Sequence, residues 1–174
     1  MRAAGAMRIR SARAEDAQDL LDIYRPVVET TAISFELTSP SVEEFAARIR
    51  KVVDGWAWLV AEEGGRCVGY AYGSVHRERA AYHWSTEVTA YVHPAHHRKG
   101  IGGALYRQLF GELADKGYCN AFAGIALPND ASVALHRSVG FEPIGVFRNI
   151  GWKFGRWHDV AWYQRKLRDG PPAN

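Results

Sequence analysis

Apolar residues recur along this chain at two spacings, every second position and every third or fourth, and the switches between them mark its elements. Arg8 to Ala12 alternates over too few residues for anything but a short edge strand. From Asp16 to Glu29 the residues Leu20, Leu21, Ile23, Tyr24, Val27 and Val28 fall at helical spacing, with Pro26 late in the helix as a kink site. Thr30 to Pro40 is polar and turn-rich around Ile33 and Phe35. Ser41-Val-Glu-Glu44 then has the form of a capping box, and Val42, Phe45, Ile49 and Val52 give a second helix its apolar stripe, ended by Gly55. Trp56 to Glu62 and Arg66 to Val75 flank Glu63-Gly64-Gly65 and predict a hairpin, followed by a third antiparallel strand from Tyr82 to Val92. Within it Val88, Ala90 and Val92 alternate with Thr89, Tyr91 and His93 until Pro94 ends the pattern.

In the second half, Ile101, Leu105, Leu109 and Leu113 recur every four residues and predict a helix from near Gly100 to Lys116, stopped at Gly117. Ala121 to Leu127 is almost continuously apolar, as expected of a strand covered on both faces. Asn129 or Asp130 can cap a helix over Ala131 to Val139, closed by Gly140. Phe141 to Phe147 and Trp157 to Leu167 supply the last two strands. This order predicts one mixed α/β domain over residues 7–168, an α+β sandwich with a mixed sheet, and tails at 1–6 and 169–174. The 174 residues suit a single domain, and neither an internal repeat nor a low-complexity linker divides them.

The predicted strand, the basic loop Arg98-Lys99-Gly100-Ile101-Gly102-Gly103 and the helix start have the build of an anion site. Glycine lets the backbone approach a ligand, and the first turn of a helix carries N–H groups without intrahelical partners and a positive dipole end. A P-loop does not fit, because no Gly-Lys-Ser/Thr occurs, and Gly100-Ile101-Gly102 lacks the third glycine of a dinucleotide fingerprint. The formal charge of +3 is too small and too dispersed for nucleic-acid binding. No apolar run approaches the ~20 residues of a membrane span. Cys67 and Cys119 stand far apart without metal spacing, which suits a reducing cytoplasm. His93, His96 and His97 have no carboxylate or cysteine at ligand spacing, so no metal is expected.

The run His97-Arg98-Lys99-Gly100-Ile101-Gly102 resembles the pyrophosphate loop Gln/Arg-x-x-Gly-x-Gly/Ala of the GNAT family of N-acetyltransferases, departing from it only at His97. The resemblance implies acetyl-CoA as cosubstrate, held by Tyr91, Val92, Arg98, Lys99, Gly100, Ile101, Gly102, Gly103 and Asn129. It also implies a strongly twisted mixed sheet flanked by helices, whose fourth and fifth strands splay where thioester and acceptor meet. Ala81-Tyr-His-Trp-Ser-Thr-Glu87, Leu127-Pro-Asn-Asp130 with His136, and Gly155-Arg-Trp-His-Asp-Val160 resemble the phosphinothricin N-acetyltransferase branch, whose relatives also take methionine sulfoximine and methionine sulfone. His83 and the segment Arg77-Glu-Arg-Ala80 depart from that branch.

Acetyl transfer to an amine needs a base for the ammonium proton and an acid for the leaving thiolate. The branch implies Glu87 and His136 for these roles, His136 standing where most of the family has tyrosine. Burial among apolar neighbours such as Trp84, Val88 and Tyr91 would raise the Glu87 pKa, although a cross-strand ion pair is the other reading of this carboxylate. For the acceptor, Arg77 and Arg79 lie on one side of an extended segment if the strand pattern continues, and can grip a carboxylate and a second oxyanion, while Phe35 either covers the aliphatic part or plugs the core. The implied partner is a small-molecule amine acceptor, with a homodimer as the assembly. The competing readings are a protein N-terminal or polyamine N-acetyltransferase and a non-catalytic acetyl-CoA sensor.

Overall fold

The computed structural model describes residues 6–173. In chain order its elements are β1 (Arg8–Ser11), α1 (Ala17–Thr30), α2 (Val42–Gly55), β2 (Trp58–Glu63), β3 (Arg66–Val75), β4 (Ser85–Val92), α3 (Ile101–Asp115), β5 (Asn120–Ala126), α4 (Asp130–Ser138), β6 (Glu142–Lys153) and β7 (Arg156–Lys166). The seven strands form one mixed sheet in the order β1-β2-β3-β4-β5-β7-β6. Every neighbouring pair is antiparallel except β4 with β5.

Two helix layers sandwich the sheet. Leu20, Leu21 and Ile23 of α1 and Phe45 and Ile49 of α2 pack on Trp58, Val60 and Tyr70. On the opposite face the α3 stripe of Ile101, Leu105, Leu109 and Leu113 meets Leu59, Ala71, Val88, Ala121 and Ala123. Each such buried aliphatic side chain contributes about 1.5–3 kcal/mol by leaving water. The capping box forms as the sequence predicts: Ser41 Oγ accepts from Glu44 N–H at 3.1 Å and Glu44 returns the bond to Ser41 N–H at 2.7 Å. The α1 helix continues through Pro26 to Thr30, and the Gly64–Gly65 turn has positive φ at both glycines.

Three expectations need correction. The strand expected to end at Phe147 runs on to Lys153, because the ladder shifts register after Phe147 and resumes at Gly151. The strand expected from Tyr82 begins at Ser85, because Ala80–Tyr82 is a single 3-10 turn. The strand expected to be covered on both faces is covered on one: Ala121, Ala123 and Ile125 are buried, whereas Phe122 is half-buried and Gly124 is exposed. The apolar run misleads because α1 and α2 stop short of β5, and Gly124 lies instead against the Trp162 ring. Of the tails, residues 1–5 and 174 lie outside the described residues, and Pro172 sits against Gly117.

The last hairpin is tied to α1 and the loop that follows it by Lys153, which is 4% exposed. Its ammonium donates to the carbonyls of Val28 at 2.6 Å, Ser34 at 2.8 Å and Glu36 at 2.8 Å. A lysine has three N–H donors, so all are used, and an orphan carbonyl at the end of α1 is satisfied by the last hairpin. Burial lowers the Lys153 pKa, and the Glu36 charge opposes that shift. Lys153→Met keeps the stem and deletes the donors. Urea unfolding is expected to show a loss of about 2–4 kcal/mol, whereas a change near zero would mean that the three carbonyls find water.

Candidate active site

The site begins where two strands part. β4 and β5 pair only at Ser85–Asn120, Thr86–Ala121 and Glu87–Phe122. Beyond that point β4 stays with β3 as far as Val92, and β5 stays with β7 as far as Ala126. The facing edges therefore carry backbone N–H and C=O groups without a strand partner, open to a ligand. A cleft of about 1170 Å³ opens there. Its walls include Tyr91 and Val92 of β4, Arg98 and Gly100 of the loop, Ile101, Gly102 and Gly103 of α3, and Asn129. Lys99 alone of the expected loop residues lies outside the lining.

The loop's shape follows from two residues with left-handed backbone, Arg98 at φ 62° and Gly100 at φ 76°. Gly100 occupies the N-cap of α3, so the free N–H groups of the first turn belong to residues that line the cleft. Gly102 is needed for space as well, since a Cβ there would lie 3.0 Å from Leu135 of α4. His97, the departure from the family pattern, donates from Nε2 to the Val92 carbonyl at 2.8 Å and so fastens the loop to the end of β4. The neighbouring histidines are also engaged: His93 accepts from Ala95 N–H at 3.1 Å, and His96 Nδ1 lies 3.0 Å from Glu63. Among the described residues no group of three or more metal-ligating side chains converges.

Glu87 stands on the last rung of the β4–β5 pairing, outside the cleft lining, which β4 joins three residues later at Ala90. Its carboxylate lies 3.3 Å from His76 Nδ1 and 3.7 Å from Arg77 Nη1, with 28% of the side chain exposed. Burial raises its pKa; the charges of His76 and Arg77 and the His76 hydrogen bond pull it back. The environment differs from the expected one, because alternation sends Val88 to the α3 face, where it is buried in the core. His76 is the neighbour that the sequence reading missed. It stacks on Phe122 at 4.5 Å and meets Tyr82 edge-on at 5.8 Å. The signal lay in the hairpin register: Ser74 pairs with Glu87, so the residue two beyond Ser74 falls diagonal to that carboxylate on the same face.

His136 is not brought to Glu87. It is buried beneath α4, and its Nδ1 lies 2.7 Å from the Ser132 carbonyl. A carbonyl only accepts, so the ring proton sits on Nδ1 and Nε2 accepts from the Tyr106 hydroxyl at 2.8 Å. Burial lowers the His136 pKa and raises that of Tyr106 well above the ordinary range, so both are neutral near pH 7. Both ring nitrogens are engaged inside the core, between Tyr106 and Phe141.

The expected acceptor residues separate. Arg77 reaches Glu87, but Arg79 is exposed and makes no ion pair among the described residues. The alternation argument fails because the connection bends after Val75 and turns through Ala80–Tyr82, so it is not extended. Phe35 neither plugs the core nor lines either cavity: its ring rests on Gly151, where a Cβ would come within 2.2 Å, and faces His158 at 6.2 Å. Next to Ser74, a second cavity of about 210 Å³ is walled by Tyr24, Phe45, Trp58, Tyr70 and Tyr72, with Arg48 and Lys51 in its lining. Arg48 is held by both oxygens of Glu36, which also accepts from the Tyr24 hydroxyl.

Residues 9–162 match the family described as Acetyltransferase (GNAT) domain. The chain is 37% identical to a phosphinothricin N-acetyltransferase of Streptomyces viridochromogenes, over 95% of this chain and 91% of the relative. It is 35% identical to an L-methionine sulfoximine/L-methionine sulfone acetyltransferase of Salmonella typhimurium, over 92% of this chain and 95% of that one. Among solved structures, a GNAT superfamily phosphinothricin acetyltransferase of Sinorhizobium meliloti in complex with AcCoA is similar at a TM-score of 0.89 and 38% identity, covering 94% of this chain and 90% of that one.

The His136 geometry sets a pH dependence. Its folded pKa is held below 6.5, so as pH falls past that value the unfolded chain takes up a proton that the folded chain refuses. The stabilisation is complete above about pH 6.5 and is lost on acidification. Thermal melts are expected to fall more steeply for the wild type than for His136→Asn between about pH 7.5 and 5; parallel curves would mean that His136 titrates normally.

Proposed function

The chain belongs to the GNAT acetyltransferase family, and on that premise we propose that it transfers the acetyl group of acetyl-CoA to the primary amine of a small amino-acid-like acceptor. The acceptor class is that of phosphinothricin, methionine sulfoximine and methionine sulfone, the compounds for which the similar proteins are named. The observation that carries this reading is a half-buried carboxylate, Glu87, on the last shared rung before β4 and β5 part, on the strand whose Ala90, Tyr91 and Val92 line a cleft together with a glycine-bearing basic loop.

The parts divide the work by chemistry. First-turn N–H groups of α3 and the Arg98 side chain suit the pyrophosphate, and the free edge of β4 at Tyr91 and Val92 suits the amide-bearing arm. Bound acetyl-CoA supplies a thioester carbonyl open to attack by an amine: the C–N bond forms, the C–S bond breaks, and the departing thiolate takes the second proton shed by the attacking nitrogen. Glu87 takes the ammonium proton, directly or through water, and its raised pKa places it nearer the operating pH of a base. His76 holds that carboxylate in place. Arg77, beside it, is placed to pair with the acceptor's own carboxylate or oxyanion. The aromatic cavity next to Ser74 suits the acceptor's aliphatic part. His136 acts as a positioning residue that joins α4 to α3 through Tyr106, in place of the thiolate acid implied by the family resemblance.

The domain spans residues 7–168 and works as a homodimer in the cytoplasm. The free thiols of Cys67 and Cys119 suit a reducing compartment, and no helix among the described residues is long and apolar enough to cross a membrane.

Glu87→Gln is expected to lower turnover about 10²- to 10⁴-fold and to remove the acid limb of the pH–rate profile. His76 lowers the Glu87 pKa, so His76→Gln should move that limb to higher pH. An unmoved limb would show that another group sets it. For the cofactor, Gly100→Val forces a β-branched residue into φ 76°, and calorimetric titration should show severely weakened acetyl-CoA binding in a folded variant. Acceptor choice is read by thiol release with phosphinothricin, methionine sulfoximine, spermidine and a short peptide; preference for either of the last two would overturn the acceptor class.

A further inference from the structure

The cavity beside Ser74 is built from one face of the sheet and one face of α2. Tyr70, Tyr72 and Ser74 alternate along β3 and so project to the same side, and Glu87, paired directly with Ser74 on β4, projects to that side too. Phe45, Arg48, Lys51 and Val52 recur at three- and four-residue spacing along α2 and form the wall that this helix supplies. Tyr72 stacks on Trp58 with ring centroids 4.2 Å apart, and Tyr70 stacks on Trp58 at 5.5 Å. The result is a space of about 210 Å³ with aromatic sides, one cross-strand step from the candidate base.

Its polar groups are unevenly engaged. Arg48 already donates to both oxygens of Glu36, whereas Lys51 makes no ion pair among the described residues. Tyr70 is 1% exposed, and its hydroxyl makes no hydrogen bond among the described residues. Burial raises the Tyr70 pKa well above the ordinary range, so the hydroxyl keeps its proton and offers a donor. Aromatic walls alone would suit a cation, but two cationic side chains in the same lining repel one. A buried free donor and an unpaired ammonium both call for an acceptor. The group that satisfies walls and donors together is a small apolar one that carries oxygen atoms.

We infer that this cavity holds the methyl-bearing tetrahedral head of the acceptor, with the methyl against the rings and the oxygens toward Tyr70 and Lys51. This rests on the acceptor class proposed above and names the residues that select within it. Phosphinothricin, methionine sulfoximine and methionine sulfone share an α-amino acid end, a short methylene arm, and a phosphorus or sulfur atom that bears a methyl group and two oxygen or nitrogen atoms. The arm sets the amine and the tetrahedral atom roughly 5 Å apart when extended, about the separation of cross-strand partners. An amine at Glu87 therefore brings the head beside Ser74, and Arg77 is left for the α-carboxylate. Methionine has the same outline without the oxygens, so its thioether leaves the Tyr70 hydroxyl and the Lys51 ammonium unmet. A polyamine would add a further cation to the two already in the lining.

The test pairs kinetics with a binding measurement. For Tyr70→Phe, kcat/KM with methionine sulfone relative to methionine should fall about 3- to 10-fold, the loss of one neutral hydrogen bond. For Lys51→Met, the fall should be about 10-fold or more with anionic phosphinothricin and smaller with the uncharged sulfone. In saturation-transfer NMR of the wild type with coenzyme A bound, irradiating the aromatic protons should enhance the methyl signal of methionine sulfone more than its α-proton. A sulfone-to-methionine ratio that Tyr70→Phe does not move, or a methyl signal weaker than the α-proton, overturns the subsite and leaves acetyl transfer to this acceptor class in place. Equal losses with phosphinothricin and the sulfone in Lys51→Met overturn the role of Lys51. A wild type that acetylates none of the three compounds and takes another amine overturns the acceptor class and the subsite together. Should a variant fail to fold, the NMR measurement on the wild type decides alone.

Discussion

Everything at the site depends on how briefly β4 and β5 stay together. Three residue pairs join them, and then each strand is committed to a different neighbour, β4 to β3 and β5 to β7. Because both outer pairings are antiparallel ladders with many more bonds, the weak parallel junction is where the sheet yields. The gap that results supplies three things at once: free backbone edges, a wall formed by the first turn of α3, and one carboxylate on the last shared rung. Mutating the cleft's individual side chains changes ligand fit, but only the strand pairings create the cleft.

The electrostatics of that corner balance two opposed tendencies. Burial raises the Glu87 pKa, whereas the neighbouring cations lower it. His76 at 3.3 Å and Arg77 at 3.7 Å lie at the loose end of ion-pair contact, and the imidazole is flanked by Phe122, stacked at 4.5 Å, and Tyr82, edge-on at 5.8 Å. The two readings of Glu87 from sequence, base or cross-strand ion pair, therefore describe one arrangement. His136 shows the contrasting case, a buried imidazole whose nitrogens are both satisfied and which holds two helices together.

Distant parts of the chain also meet at a single lysine. Lys153 lies more than a hundred residues after the three carbonyls that it binds, so the loop after α1 is shaped by the last hairpin. Natural sheets seldom leave a long aromatic edge open to water, and here the same hairpin carries the loop on its inner face.

What the sequence determined was local. Periodicity set the order and approximate limits of the elements; Ser41 and Glu44 specified a cap that they alone complete; Gly100 and Gly117 marked the two ends of α3, because left-handed backbone selects glycine there. The glycine loop was legible for the same reason, since its chemistry resides in contiguous backbone. Tertiary structure decided whatever depends on pairing between separated segments. The register of β3 against β4 brought His76 to Glu87, the bend after Val75 turned Arg79 away, and the short reach of α1 and α2 exposed one face of β5. His136 matched its motif position, yet its burial depends on Tyr106 thirty residues earlier, a contact that no local spacing encodes. Side-chain direction and burial are properties of the packed layers, and a linear pattern states only which residues are able to occupy them.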